Sequence, residues 1–121
     1  MSLVTSLQCA RCGFVEKNLD AAKCPRCQSA LLFDYDYDRV EQVFTSGKFK
    51  ARTPGVWKYL ELLPITSEQS IVSLGEGGTF MHDCPRLAHE IGISKLLLKD
   101  ETTNPTGSFV DRGMTVEASK A

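Results

Sequence analysis

The sequence is 121 residues long, enough for one ordinary domain or two very small ones with a modest core. Its formal net charge of -1 provides no global field to draw in nucleic acid or an anionic membrane, and no run of about 18 apolar residues offers a membrane span. The start, MSLVTSLQC, lacks a basic region leading into a long apolar stretch, so the expectation is a soluble, cytoplasmic protein.

Five cysteines are many for this length, and an odd count argues against a closed disulfide framework. Spacing is more informative than number. Cys9-Ala-Arg-Cys12 and Cys24-Pro-Arg-Cys27 are two C-x-x-C pairs separated by eleven residues, each placed to clamp one ion from a tight turn. Four thiolates satisfy tetrahedral zinc and leave no position for a reacting water, so the expected role of Cys9, Cys12, Cys24 and Cys27 is structural. Iron of the rubredoxin kind takes the same ligands, and two disulfides or a redox pair are the other uses of such cysteines. Arg11 and Arg26 sit in the turns, but Glu16, Asp20, Asp34, Asp36 and Asp38 offset them, which argues against a phosphate-binding face.

Further on, Leu31 to Asp38 begins apolar and continues as acidic alternation, consistent with a last ribbon strand; it lacks the glycine and terminal glutamate of a calcium loop. Asp38 is the expected cap of a short helix carrying Val40, Val43 and Phe44, with Gly47 as its stop. Thr53-Pro54 opens a second helix with Val56, Trp57, Leu60 and Leu63 at helical spacing before Pro64. In Ile71 to Phe80, IVSLGEGGTF, the glycines permit close backbone approach to another group. Asp83, Pro85 and Leu87 to Ile91 read as a capped helix ending near Gly92, while Cys84 is an odd thiol and His82 and His89 lack ligand spacing.

The last stretch, KLLLKDETTNPTGSFVDRGMTVEASKA, predicts a strand at Leu96 to Leu98 buried on both faces, a polar loop from Asp100 to Gly107, and a helix starting at Phe109 behind a Ser108/Asp111 capping pattern. A strand, loop and helix N-terminus in that order suit an anion.

Asp100, Glu101, Asn104, Pro105, Thr106, Gly107, Ser108, Phe109, Asp111, Arg112 and Gly113 closely resemble the lysine-bearing segment of threonine synthase and its relatives among the fold type II pyridoxal-phosphate enzymes. LGEGGT is similar to a stretch that precedes that segment in the same family, with Phe80 where a proline is usual, and WKYLELLP resembles an aromatic-rich helix beside the enzyme core. Some of these synthases also carry a small cysteine-rich segment ahead of the enzyme domain. The resemblance implies an α/β fold, the amino-terminal part of a fold type II enzyme, preceded by a zinc ribbon. It implies pyridoxal phosphate as cofactor, conversion of O-phospho-L-homoserine to threonine and phosphate, and Asn104, Thr106, Gly107 and Ser108 as the candidate cofactor loop.

One position departs from the pattern. Val110 stands where the family has the lysine that forms an imine with the cofactor, and valine has no nitrogen. The expectation is therefore a chain with no catalytic residue at this site and no bound cofactor. The expected organisation is a ribbon over 1–37, a helical connector over 38–70 and the start of the enzyme domain over 71–121. Its expected partner is the remainder of the enzyme or a second copy, met through an open sheet edge. The competing reading is a non-catalytic paralogue whose ribbon binds another protein.

Overall fold

The computed structural model describes residues 2–121, which form two compact units: one of residues 2–52 and 59–70 with Lys120, the other of residues 53–58 and 71–119 with Ala121. Helix and strand are mixed, as the α/β expectation requires. No helix among the described residues is long and apolar enough to cross a membrane.

The first unit is built on an antiparallel sheet of β1 (Val4–Cys9), β2 (Val15–Glu16) and β3 (Leu31–Tyr35), with β1 in the middle. Leu7 faces Glu16 on one side and Phe33 on the other, so its side chain is the best placed of the strand to be covered, and it is 2% exposed. Leu3, Ile65, Cys9 and Cys24 complete this small interior. A bulge between Val4 and Ser6 bends the end of β1.

The acidic alternation after Phe33 does not continue as strand. Asp36 accepts a hydrogen bond from the Arg39 amide and caps α1 (Tyr37–Val43), two residues earlier than the expected cap at Asp38. Thr45 then caps α2 (Ser46–Ala51), so Gly47 lies inside a helix and ends none. Phe44, Phe49 and Tyr59 cluster with ring centroids 5.3–6.4 Å apart, Phe44 stacked on Tyr59 and edge-on to Phe49, and Arg52 grips Glu61 with two hydrogen bonds of 2.6 Å. The expected helix after Pro54 is a 3-10 helix, Val56–Leu62, kinked at Tyr59 where the chain passes between units.

The second unit carries β4 (Phe80–Asp83), α3 (Pro85–Glu90), β5 (Leu97–Asp100) and α4 (Asp111–Lys120). β4 and β5 pair antiparallel, Phe80 opposite Asp100 and Asp83 opposite Leu97. Helix α3 ends as expected: Gly92 adopts φ +75 and its amide returns to the His89 carbonyl, while Ile93 reaches Ala88. The strand expectation fails in one respect. Leu97 and Leu98 are 47% and 45% exposed, because the hairpin has no layer over either face.

All six buried polar side chains among the described residues, Glu76, Thr79, Asn104, Asp111, Thr115 and Ser119, lie in this unit, against three buried apolar ones, Val56, Ala88 and Val116. Burying polar groups is tolerable only when each is hydrogen-bonded, and no buried side-chain nitrogen or oxygen among the described residues lacks a partner. The two units are thus stabilised differently. Leu7→Ala should destabilise the first by about 2–5 kcal/mol in denaturant titration, since its cavity opens in the centre of a three-stranded sheet.

Candidate functional site

The four paired cysteines converge as their spacing predicts. Both C-x-x-C segments make the same turn: Cys9 N donates to Phe14 O and Gly13 N to Cys9 O, while Cys24 N donates to Ser29 O and Gln28 N to Cys24 O. Each turn needs a left-handed residue at its fourth step, supplied by Gly13 (φ +69) in one and by Gln28 (φ +60) in the other. The left-handed conformation costs a residue with a side chain roughly 1–2 kcal/mol. Sequence reading placed Gly13 and Pro25 correctly at these bends but gave no sign of the left-handed glutamine.

The four sulfurs lie within 4.8 Å of one another, with Cys9 to Cys27 at 3.4 Å, Cys12 to Cys27 at 3.6 Å and Cys12 to Cys24 at 3.7 Å. Four thiolates about 2.3 Å from one tetrahedral ion stand about 3.8 Å apart, whereas a disulfide requires about 2.05 Å. The spacing therefore suits one ion, and all five cysteines are free thiols. The Cys12 amide, the Arg11 amide and the neighbouring thiols lower Cys9 to about 6 against the opposing effect of burial. At Cys27 the Ser29 amide pulls downward but is outweighed by Cys9, burial, Cys12 and Cys24, leaving it raised to about 12. Four sulfurs cannot share so small a volume as anions without a cation among them, and this cluster could hold a metal ion.

The second candidate is the loop between β5 and α4. Its centre is Glu101, whose carboxylate accepts from Arg112 Nε at 2.7 Å and Nη2 at 2.8 Å, from Thr79 Oγ1 at 2.7 Å and from Asn104 Nδ2 at 3.0 Å. Arg112 foremost, then Thr79, hold this carboxyl down at about 2. Asn104 Oδ1 accepts from the Gly77 amide at 2.9 Å, which ties the glycine-rich stretch to the loop. That stretch is tight. A Cβ on Gly77 would meet Arg112 Nη1 and Val56 N at 2.9 Å, and one on Gly78 would meet Pro54 at 3.1 Å. The group these glycines admit is thus the chain itself.

The proposed capping box does not form. Asp111 accepts from the amide and hydroxyl of Thr106, Ser108 Oγ accepts from the Val110 amide, and α4 starts at Asp111 with Val110 as its cap residue. An aspartate at this position reaches back into the loop rather than to its own cap. Of the candidate cofactor residues, Asn104 and Thr106 therefore already spend their side chains on the protein, and Gly107 donates its amide to Asn104 O. Ser108 is half-buried, and Val110 is 49% exposed. Neither Lys99 nor Lys120 takes the place of the amine Val110 lacks. Lys99 Nζ donates to Thr79 O, and Lys120 lies ten residues along α4 from Val110, about 15 Å. The loop does not fit covalent attachment of an aldehyde cofactor.

Sequence reading missed the Thr79–Glu101–Arg112 triangle and the Asn104–Gly77 tie, whose members are separated by up to 33 positions. It also left His82 without a partner, whereas His82 Nε2 lies 3.1 Å from Asp100 Oδ2 across the hairpin.

Residues 72–121, which hold this loop and its flanking elements, match the family of the pyridoxal-phosphate dependent enzymes. Over most of its length the chain is similar to threonine synthases. It is 42% identical over 114 residues to the threonine synthase of Methanocaldococcus jannaschii and 45% identical over 117 residues to that of Methanosarcina acetivorans, alignments that take in 94% and 95% of this chain. A threonine synthase of Halalkalibacterium halodurans is 45% identical over 64 residues, 53% of this chain and 18% of its own length. The chain spans 28% of the length of the first two relatives. No solved structure matches it.

Because Glu101 is held at about 2 from an ordinary 4.5, the folded loop binds its proton more weakly than the unfolded chain does. Its contribution is complete above about pH 4.5 and disappears as the pH falls toward 2. Fluorescence of Trp57, the sole tryptophan, whose indole N–H donates to Thr115 Oγ1, should report this loss in acid denaturation. Glu101→Gln should flatten the profile over that window.

Proposed function

We propose that this chain is a threonine synthase-like segment that supplies a structural zinc ribbon and the framework of the cofactor loop, without itself forming the covalent bond to the cofactor. The observation that carries the reading is the loop from Asp100 to Gly113, which matches the family at every quoted position but Val110 and is held by a network that makes no use of that side chain. The reaction to which such a segment contributes is conversion of O-phospho-L-homoserine to threonine and phosphate. Asn104, Thr106, Gly107 and Ser108 remain the candidate loop residues, acting through backbone shape more than through side-chain donors. We place the protein in the cytoplasm, in keeping with free thiols and a small-molecule biosynthetic role.

For the metal, Cys9, Cys12, Cys24 and Cys27 would complete a closed four-sulfur shell. Zinc in such a shell supplies folding free energy and no reacting water. Cys9 leads β1 into the first turn and Cys24 is fully buried, so the ion would fasten the two turns to the sheet. The second reading, a non-catalytic paralogue that binds a protein, draws on the same Val110 and differs in predicting no association with synthase sequence.

Three measurements test the proposal. Elemental analysis should find one zinc per chain, and chelation or Cys24→Ser should abolish the circular dichroism of the first unit's sheet. A sheet that survives complete metal removal defeats the ribbon assignment. Incubation with pyridoxal phosphate followed by borohydride and peptide mapping should label no single lysine of the chain stoichiometrically; stoichiometric reduction onto one lysine contradicts the Val110 argument.

A further inference from the structure

The four sulfurs of the cysteine cluster are unequally open to solvent. Each turn holds one inside and one further out: Cys9 is buried and Cys12 exposed, Cys24 is buried and Cys27 half-buried. Three sulfur–sulfur approaches, Cys9 to Cys27 at 3.4 Å, Cys12 to Cys27 at 3.6 Å and Cys12 to Cys24 at 3.7 Å, all run from one turn to the other. Against a sulfur–sulfur bond of about 2.05 Å, the first pair has about 1.4 Å to close and the last about 1.7 Å. The amides of Arg11 and Cys12 are both spent on the buried Cys9 sulfur, so the outer Cys12 sulfur is the one those donors leave open to a reagent. A thiolate that is accessible and has a second thiol within reach is the arrangement most readily oxidised to a disulfide.

We propose that this cluster is a reversible redox switch for the ion it holds: a hydroperoxide converts it to two disulfides across the turns, Cys12–Cys24 and Cys9–Cys27, which release the ion, and a dithiol restores the four thiolates. The Cys12 thiolate attacks one peroxide oxygen, the O–O bond breaks and hydroxide leaves, so the sulfur is oxidised to a sulfenic acid. The Cys24 thiolate then attacks the Cys12 sulfur, the S–O bond breaks and a second hydroxide leaves as the disulfide forms. Cys27 and Cys9 repeat both steps with another peroxide. Four thiolates and two molecules of hydrogen peroxide thus give two disulfides and four hydroxides, and no thiolate remains to bind a cation. Pairing Cys12 with Cys27 instead would strand Cys9 and Cys24, both buried away from the oxidant. The two bridges are nested, spanning 18 and 12 positions, and Cys9 is paired with Leu31 in the sheet, so the oxidised chain keeps both turns fastened and the site re-forms on reduction. Cys84 lies in the second unit, outside the cluster, and stays a thiol. This inference rests on the zinc-ribbon reading for the ion, and on the sulfur geometry alone for the pairing.

The test is titration of the zinc-loaded full chain with hydrogen peroxide in the presence of a metallochromic dye, followed by blocking of the remaining thiols and mapping with trypsin. Cleavage after Arg11, Lys17, Lys23, Arg26 and Arg39 leaves each cluster cysteine on a peptide of its own, 1–11, 12–17, 24–26 and 27–39. Two equivalents of peroxide should release one zinc per chain and consume four of the five thiols, sparing Cys84. Peptide 12–17 should then be linked to 24–26, and 1–11 to 27–39. With limiting peroxide and a sulfenic-acid trap, the adduct should fall on 12–17. Circular dichroism of the first unit's sheet should persist in the oxidised chain, and dithiothreitol with added zinc should restore both the thiols and the bound metal. Linkage within a turn, a trapped adduct on the buried Cys9 or Cys24, or oxidation that dithiothreitol does not reverse overturns the inference. A chain that carries zinc and keeps it under peroxide defeats the switch alone. One that carries no zinc before peroxide is added defeats the ribbon reading, and the switch with it.

Discussion

The pairing of Glu101 with Arg112 is the constraint on which the second unit depends. An isolated surface ion pair contributes little, typically within about 1 kcal/mol, but this one is bidentate and shares its carboxylate with Thr79 and Asn104. Through Thr79 it fixes the entry to β4, through Asn104 and Gly77 it fixes the glycine-rich stretch, and through Arg112 it fixes the first turn of α4. Three segments distant in sequence are located by one charged group. Such a network is costly to leave half made, which is why every member is hydrogen-bonded within the chain.

The first unit follows a different logic. Its sheet buries few apolar side chains, and the segment between the cysteine pairs contributes only the two-residue strand Val15–Glu16. There the two paired turns bring four sulfurs within 4.8 Å of one another, a cluster that could hold a metal ion. The first unit thus rests on a small apolar interior and its paired cysteine turns, the second on a polar network that spans distant segments, as is expected where so little hydrophobic core is available.

How much of this could be read beforehand depended on the range of the interaction. The cysteine turns were legible because ligand spacing, Gly13 and Pro25 all lie within a few residues of one another. The end of α3 at Gly92 was legible for the same reason. The cap at Asp36 was misplaced by two residues because several acidic residues compete there and the choice is made by where β3 stops pairing, opposite Val4. Asp111 was taken for a capping partner of Ser108, since spacing alone does not show that Thr106 offers it two donors. The exposure of Leu97 and Leu98 was misread because an apolar run signals a buried strand only when other layers are present to bury it. The glycines of LGEGGT were legible as close-approach positions, but not the neighbours they admit, Pro54, Val56 and Arg112.

The segment around Val72 belongs to no strand, yet its backbone is not left to water. Its amide is held by Ser119 Oγ and its carbonyl by Thr115 Oγ1, the same hydroxyl that receives the Trp57 indole. Two helix side chains thus imitate the ladder of a neighbouring strand. Hydrogen–deuterium exchange at this amide would accordingly be governed by fraying of the C-terminal turns of α4 rather than by opening of any sheet, so protection here reads out a helix from a residue that is not part of it.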